Sequence, residues 1–578
     1  MPDSPRVAYF CMEYGLDDRL KTYSGGLGIL AGDTLKAAHD LGVPMVGVGI
    51  RWKQGYTRQL IDPDGEQVDA YRNYAVDGLL EDTGVEVSVR IKGADVRCRV
   101  WKADRFGNVP LYLLDTDLPD NPEAMTTGQL YGWFGEERVA QEVVLGVGGV
   151  RALRALGIGV DVYHFNEGHA LLAAFELMRE KVARGMSFDE ARAATRGEVV
   201  FTTHTPVLAG NESHPIERLR YVGAAEGFTD EQLVALGGRP FNMTVAALRL
   251  SRRANAVARL HGETANRMWA SVEDRPEIIA ITNGVHVGTW ADPAVLAAAE
   301  SGGASGGDAD ADLWAAHLAN KRALVDFVEG RTGQRLDPER LIVGFARRAA
   351  AYKRAPLVFE DEARLAPYLA DGRLQLVFSG KAHPMDEAGK AVVRRLVRMA
   401  RKYPRSVVFL EDYGMTIGRL MTRGCDVWLN NPRRPKEASG TSGMKAAMNG
   451  VLNLSVLDGW WPEACEHGVN GWQIGGGFES DDEAAQDAHD LADLYRVLLG
   501  EVVPTYYDDR ERWTRMMRAS VRSTRERFSA RRMVAEYVER LYRDGEAGGT
   551  AGSTAGSTAG DGRSRAYDVA PTSEGMRG

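Results

Sequence analysis

The chain has 578 residues, of which 44% are apolar and 26% charged, and its formal net charge is −9. That length exceeds one ordinary hydrophobic core and predicts two domains, while the composition excludes a disordered or fibrous protein. The acidic balance argues against nucleic acid or an anionic membrane as the main partner. Cys11, Cys98, Cys425 and Cys465 show no CxxC spacing, which fits neither a zinc knuckle nor a secreted disulfide scaffold. No basic-then-apolar leader opens the sequence and no apolar run has the length of a membrane helix, so a cytoplasmic location is expected.

In chain order, the first informative segment is YSGGLGILAGDTLKAAHDLG (23–42), where Gly25, Gly26 and Gly28 precede a helical pattern from about Leu30. Glycines let backbone N–H groups approach an anion, and a helix N-terminus adds partial positive charge. A GGLG alone is a weak signal, a simple tight turn into a packed helix is the plainer reading, and the spacing matches neither GxGxxG nor the Walker pattern. RVAQEVVLGVGGVRALRALG predicts a long, partly glycine-interrupted helix. His164, Glu167 and His169 depart from HExxH spacing, so no metal is assigned. VVFTTHTP reads as a strand followed by a loop carrying His204, and IIAITNGVHVGTW (278–290) carries Asn283. Taken singly, His169, His204 and Asn283 read as hydrogen-bonded structural residues. A domain boundary is placed at 288/289, and ESGGASGGDADAD (300–312) is expected to be a surface loop.

The second part alternates RLIVGFARR, RLQLVFSGKAHP, SVVFLEDY, DVWLNNP and VLNLSVLDG with helical patterns such as DEAGKAVVRRLVRMARKY. Strand–helix alternation predicts parallel sheets covered by helices, with ligands beyond the carboxyl ends of the strands. ARRAAAYKR (346–354) follows the first of these strands. If Lys353 opens a helix, then Arg347, Arg348, Lys353 and Arg354 can converge on a phosphate-sized anion; a solvated basic face is the alternative. In EASGTSGMKAAMN (437–449), Thr441 and Ser442 make a plausible anion cradle and Met444 packs. Lys445 reads either as a surface ammonium or as a Schiff-base lysine, since neighbouring cations depress a lysine pKa. Pyridoxal enzymes need such a lysine and a separate phosphate cradle. One or two arginine-rich helices close the fold near 510–543. Residues 545–578, with their AGST repeats, read as a disordered tail.

EASGTSGMKAAMN resembles the signature around the cofactor lysine of the α-glucan (glycogen, starch, maltodextrin) phosphorylases, in their short bacterial form. GGLGILAGD, THTP, TNGV, RR…YKR and LDGWWPEA occur in the order of that family, so the resemblance spans roughly residues 7–540. It implies an α/β, GT-B fold: two Rossmann-like domains facing each other across a cleft, residues 1–288 binding glucan and residues 289–544 binding pyridoxal 5′-phosphate. The implied reaction is reversible, retaining phosphorolysis of terminal α-1,4-linked glucose to glucose 1-phosphate, a hexosyltransferase activity. Carried over, Lys445 would hold pyridoxal 5′-phosphate through an imine, and Gly25 and Gly26 would offer N–H groups to phosphate. Arg348 and Lys353 would clamp the substrate phosphate, with Arg347, Thr441 and Ser442 near the cofactor phosphate and Tyr413 packing beside it. Tyr352 and Glu437 would bond sugar hydroxyls, and His204 and Asn283 would lie near O6. The implied partners are glycogen or maltodextrin, orthophosphate and glucose 1-phosphate.

Two departures from the family pattern stand out. Arg347 replaces a lysine usual in the animal enzymes, and Ala349–Ala351 replace Ile-His-Glu. No counterpart of the long regulatory N-terminal segment of animal phosphorylases is expected. Two other readings share the fold: a nucleotide-sugar-dependent glycogen-synthase-like transferase, which needs no lysine imine, and a non-catalytic glycan-binding relative. Oligomeric state is left open by the sequence, a homo-oligomer included.

Overall fold

Three short segments in the first half of the chain, Val7–Phe10, Val162–Asn166 and Val199–Thr202, are buried at every position. A strand that is apolar on both faces needs cover on both faces, which is the condition of a parallel sheet between helices. The computed structural model describes residues 1, 4–132, 135–301 and 306–543; the tail expected at 545–578 lies outside the described residues.

These strands form a nine-stranded sheet in the order Ile278–Ala280, Arg253–Ala256, Val199–Thr202, Val162–Asn166, Val7–Phe10, Met45–Ile50, Leu111–Asp115, Ala94–Ala103, Glu81–Ile91. Its first seven strands run parallel and the last two join antiparallel. A six-stranded, wholly parallel sheet follows in the order Val407–Leu410, Leu374–Ser379, Leu341–Ala346, Val427–Asn430, Leu452–Val456, Gly471–Ile474. Five of its strands are those expected from the sequence; Gly471–Ile474 is the addition.

In each sheet the chain winds one way from its first strand and then crosses to the other side. The switch points fall at the carboxyl ends of Val7–Phe10 and of Leu341–Ala346, where ligands of such sheets bind. Residues 1–543 form one contact unit. The closing helix Ala530–Tyr537 returns to the first sheet, where Met533, Val534, Tyr537 and Leu541 pack with Val7, Tyr9 and Leu35. The His164 ring meets the Tyr542 hydroxyl at 2.8 Å beneath that sheet.

Two expectations need correction. The glycine-led helix starts at Gly26 rather than near Leu30, because Gly25 adopts an extended conformation and serves as its N-cap. In the stretch 300–312 the described residues are helical, 300–301 ending the helix Pro293–Ser301 and 306–312 opening the helix Gly306–Thr332; residues 302–305 lie outside the described residues. Its small and acidic residues do not prevent helix formation, because the apolar residues further along, Leu313, Leu324, Val325 and Val328, are buried to 0–1% exposure.

Candidate functional site

Strand Leu341–Ala346 delivers Arg347 to the second switch point, and strand Val427–Asn430 delivers Asn430 beside it. The Arg347 guanidinium donates to the Asn430 side-chain oxygen and, at 2.6 Å, to Glu437 Oε1. Lys353 Nζ donates to the other oxygen, Oε2, at 2.9 Å. All three side chains are less than one-tenth exposed. Burial alone would raise the Glu437 pKa, but Arg347 and Lys353 hold its carboxyl down to about 2. Tyr413, pushed up to about 12 by burial, feels the Arg347 charge. Arg348 is exposed and lies in the field of Tyr352, Tyr56 and Glu13. Two cations therefore hold one carboxylate and leave one positive charge in surplus, with Arg348 following next in the chain, a balance that suits an anion.

Lys353 does not open a helix as expected. It ends a short 3-10 turn, Ala351–Lys353, with its ammonium 4.8 Å from the centre of the Tyr352 ring. Arg354 does not join the cation cluster. Its backbone takes the left-handed conformation (φ 52°) and its guanidinium turns to Asp487 (2.8 Å), Asp490 (2.6 Å) and the carbonyls of Asn431 and Pro432. Two carboxylates and two carbonyls satisfy this guanidinium, and it braces the loop that carries Glu437.

That loop is held from below by the LDGWW segment. Asp458 Oδ2 accepts the Glu437 N–H at 2.9 Å, and Trp460 N–H donates to the Ser439 carbonyl at 2.9 Å. Burial, reinforced by the nearby Glu437 charge, pushes the Asp458 carboxyl up to about 8. Gly440, at φ 82°, turns the chain into helix Thr441–Met448. Thr441 and Ser442 therefore stand at a helix N-terminus as the sequence suggests, with the Ser442 hydroxyl accepting from Trp428 Nε1 at 3.2 Å.

Lys445 lies one turn into this helix and is not a surface ammonium. It is 5% exposed, and its Nζ sits 3.7 Å from the centre of the Trp290 ring. Burial pulls its pKa down to about 8 against the opposing pull of Asp33. Asp33 belongs to the glycine-led helix and accepts from Trp290 Nε1 at 2.9 Å. Asn449, the last residue of the motif, bonds the Lys445 carbonyl (2.8 Å) and the Trp290 carbonyl (3.1 Å), which fixes the lysine against its aromatic neighbour. Glu13, Asp33, Trp290, Asn430 and Asp458 are site residues that sequence reasoning missed. LDG and the aromatic after TNGVHVGT marked two of them; the others have no local signature.

The glycine turn is already partly engaged. Glu13 Oε2 accepts from the Ser24 N–H (2.6 Å) and the Gly25 N–H (3.2 Å), while Tyr131 donates to Oε1 (2.9 Å). The Gly25 amide is therefore not a free phosphate donor as expected, because a carboxylate three strand positions past Phe10 has claimed it. The Gly26 amide, at the first helical position, has no partner within the helix. A Cβ on either Gly25 or Gly26 would meet nothing within 4 Å, so both face open space.

His204 and Asn283 are held by the first sheet. The His204 amide donates to Glu167 Oε2 (2.8 Å), and its Nε2 meets Asn166 Oδ1 (2.6 Å). Since that oxygen only accepts, Nε2 carries the proton and Nδ1 is left as an acceptor. Burial, with His261, His169 and His164 nearby, keeps the ring neutral by holding its pKa well below the usual value. Asn283 is 4% exposed and its Oδ1 has no hydrogen-bond partner. Its loop is tied to the LDGWWPEA turn, where Thr282 Oγ1 donates to Glu463 at 2.9 Å. The structure thus brings Arg347, Lys353 and Glu437 into direct contact, with Gly440 beside them. It places Lys445 against the glycine-led helix and His204 and Asn283 on the opposite sheet.

The residues present fit a pyridoxal phosphate group: a buried amine with a depressed pKa, a helix N-terminus bearing two hydroxyls, and open space before Gly25 and Gly26. A family described as carbohydrate phosphorylase matches residues 304–467. The chain is 40% identical to the maltodextrin phosphorylase of Thermococcus litoralis over 93% of this chain and 70% of that protein. It is 39% identical to the glycogen phosphorylase of Mycobacterium tuberculosis, over 93% and 70% of the two chains. For the glycogen phosphorylase of Aquifex aeolicus the figures are 34%, 93% and 86%. With these relatives covering nearly its whole length, the chain belongs to the carbohydrate phosphorylase family and carries that family's GT-B fold in its two large, mainly parallel sheets.

Proposed function

We propose that the protein is an α-glucan phosphorylase that uses orthophosphate to release terminal α-1,4-linked glucose from glycogen or maltodextrin as glucose 1-phosphate. The observation that supports this most is the Arg347–Glu437–Lys353 cluster at a switch point, with Lys445 buried on the helix that follows Glu437. Residues 289–544 supply the cofactor's lysine and the cations, and residues 1–288 supply glucan-facing groups.

Lys445 is the attachment point for pyridoxal 5′-phosphate, with Gly26, Arg347, Thr441 and Ser442 around its phosphate and Tyr413 beside it. When bound, the cofactor supplies a phosphate that exchanges a proton with the substrate phosphate. Arg348 and Lys353 hold the substrate phosphate, and Glu437 fixes Arg347 and Lys353 at a spacing set by one carboxylate. As the C1–O4 glycosidic bond breaks, these cations stabilise the phosphate that faces the developing positive charge at C1. A C1–O bond to phosphate then forms on the same face, and the proton of hydrogen phosphate ends on O4 of the departing chain. Tyr352 and backbone amides near Ser439 orient sugar hydroxyls. The neutral His204 Nδ1 accepts from one hydroxyl, and the unpaired Asn283 oxygen accepts from another. Glu437 is taken up by Arg347 and Lys353 rather than serving as one of the two carboxylates a glycosidase uses.

The test is phosphorolysis of maltooligosaccharides of increasing length by cofactor-saturated protein, read as glucose 1-phosphate. Phosphate-dependent release is the expected result. Absence of glucose 1-phosphate from every α-1,4-glucan tried rejects the proposal.

A further inference from the structure

Away from the cleft, helix Glu136–Val143 and the two-residue strand Ser213–His214 bring together Glu142, Glu212 and His214. One ligand atom from each lies within 4.8 Å of the others. His214 Nε2 is 3.9 Å from Glu142 Oε2 and 3.8 Å from Glu212 Oε2. Glu142 is 0% exposed and His214 5%. Both oxygens of Glu142 and both ring nitrogens of His214 lack any hydrogen-bond partner. Four unpaired polar atoms on two buried side chains are costly unless something binds them.

Arg138 does not remove the deficit. Its Nη2 and Nε donate to Glu212 Oε1 at 2.6 and 2.9 Å, its Nε also reaches Glu212 Oε2 at 3.2 Å, and its Nη1 points at Met12 Sδ. Towards Glu142 it offers only a 3.5 Å ion pair. One cation thus faces two carboxylates. A proton shared between Glu142 and Glu212 would satisfy the carboxylates, but it would leave the His214 ring as it is.

We propose that Glu142, Glu212 and His214 bind a divalent cation of the zinc class. Two carboxylate oxygens and one imidazole nitrogen form a borderline donor set suited to zinc, whereas calcium and magnesium take all-oxygen shells. Bonds of about 2.1 Å in tetrahedral geometry separate ligand atoms by roughly 3.4 Å, so the observed 3.8 and 3.9 Å need only a small contraction. Arg138 stays bonded to Glu212 and orients that ligand, and a fourth position is left for water. The ion ties the segment that runs from His204 to His214 down onto helix Glu136–Val143.

The experiment strips the full-length, cofactor-loaded protein with a chelator. It is then dialysed against zinc chloride, and bound metal is measured by mass spectrometry. One zinc per chain is expected, with affinity at least about 100-fold weaker in both Glu142→Gln and His214→Ala. No zinc above the buffer level in the wild type, or undiminished binding in both variants, overturns the proposal. X-ray absorption of the zinc-loaded wild type guards against variants that fail to fold. A shell of one nitrogen and oxygens supports the site, whereas a sulfur ligand assigns the metal to Cys465 and overturns it.

Discussion

At the scale of single residues, Glu437 and Lys445 are two ionisable groups whose environments push them in opposite senses. Glu437 is buried between two cations that keep it charged; Lys445 is buried away from water, and that desolvation favours its neutral form. For Glu437 the folded pKa of about 2 lies below the ordinary value of 4.5, so its contribution is complete above pH 4.5 and is lost as pH falls from there to 2. That contribution is worth about 3 kcal/mol. Glu437→Gln is expected to lower denaturant stability at pH 7 and to converge with the wild type near pH 2 in melts across that window. The same variant is expected to lower kcat/KM by roughly 100-fold, because the two cations lose their spacer. For Lys445 at about 8, roughly a tenth of the amine is neutral at pH 7, far more than in an ordinary lysine. Re-loading of cofactor-free protein should therefore accelerate from pH 7 to 9 with a midpoint near 8, followed by near-ultraviolet absorbance. Borohydride reduction and peptide mapping should place the pyridoxyl group on Lys445, and Lys445→Ala should be colourless and nearly inactive.

At the scale of elements, the glycine turn shows how one short motif divides its labour. A Cβ at Gly28 would stand 2.7 Å from both Glu13 Oε2 and Tyr23 Cβ, so Gly28 permits the close approach that lets Glu13 cap the turn. Gly25 and Gly26 have no such neighbour and keep open the space ahead of the helix. Gly28→Ala is expected to destabilise the protein by about 1–3 kcal/mol through overpacking. Gly25→Ala should leave thermal stability nearly unchanged and weaken cofactor retention, a contrast read by melting curves and cofactor titration side by side. The notion of an anion site was legible here from glycine content. That a glutamate twelve residues upstream would take one of the amides was not, because only the sheet brings Glu13 back to Ser24 and Gly25.

At the scale of the whole molecule, a hairpin from the first half, Arg58–Ile61 and Gln67–Ala70, reaches the second sheet. Gln59 Nε2 donates to the Gly380 carbonyl at 2.9 Å, and Gln67 exchanges bonds with Ala382 at 2.9 and 3.0 Å. Both glutamines are buried. Because the site draws groups from both sheets, this clasp sets their spacing. Replacing Gln59 and Gln67 together by alanine is expected to raise KM for phosphate and glucan several-fold more than it lowers kcat, with far-ultraviolet circular dichroism unchanged. Among the described residues no helix is long and apolar enough to cross a membrane.

Sequence alone determined what local chemistry encodes. Strand segments announce themselves as buried β-branched runs, helices by their spacing, and the lysine motif by a dense string of small residues ending in Met-Lys. Those signals gave the parallel α/β architecture and marked Arg347, Arg348, Lys353 and Arg354 as candidates to converge on an anion, while the roles of Glu437 and Lys445 came from the family resemblance. The tertiary structure alone decided which cations converge. Arg354 has the same charge and the same neighbourhood in sequence as Lys353, yet a left-handed backbone turns it to Asp487 and Asp490. It also decided that Asp458, Asp33 and Trp290 belong to the site, since each comes from a different part of the chain. Helix spacing and strand alternation describe one element at a time. Burial and electrostatic partnership are properties of several elements packed together, and the pKa values of Glu437 and Lys445 follow from that packing.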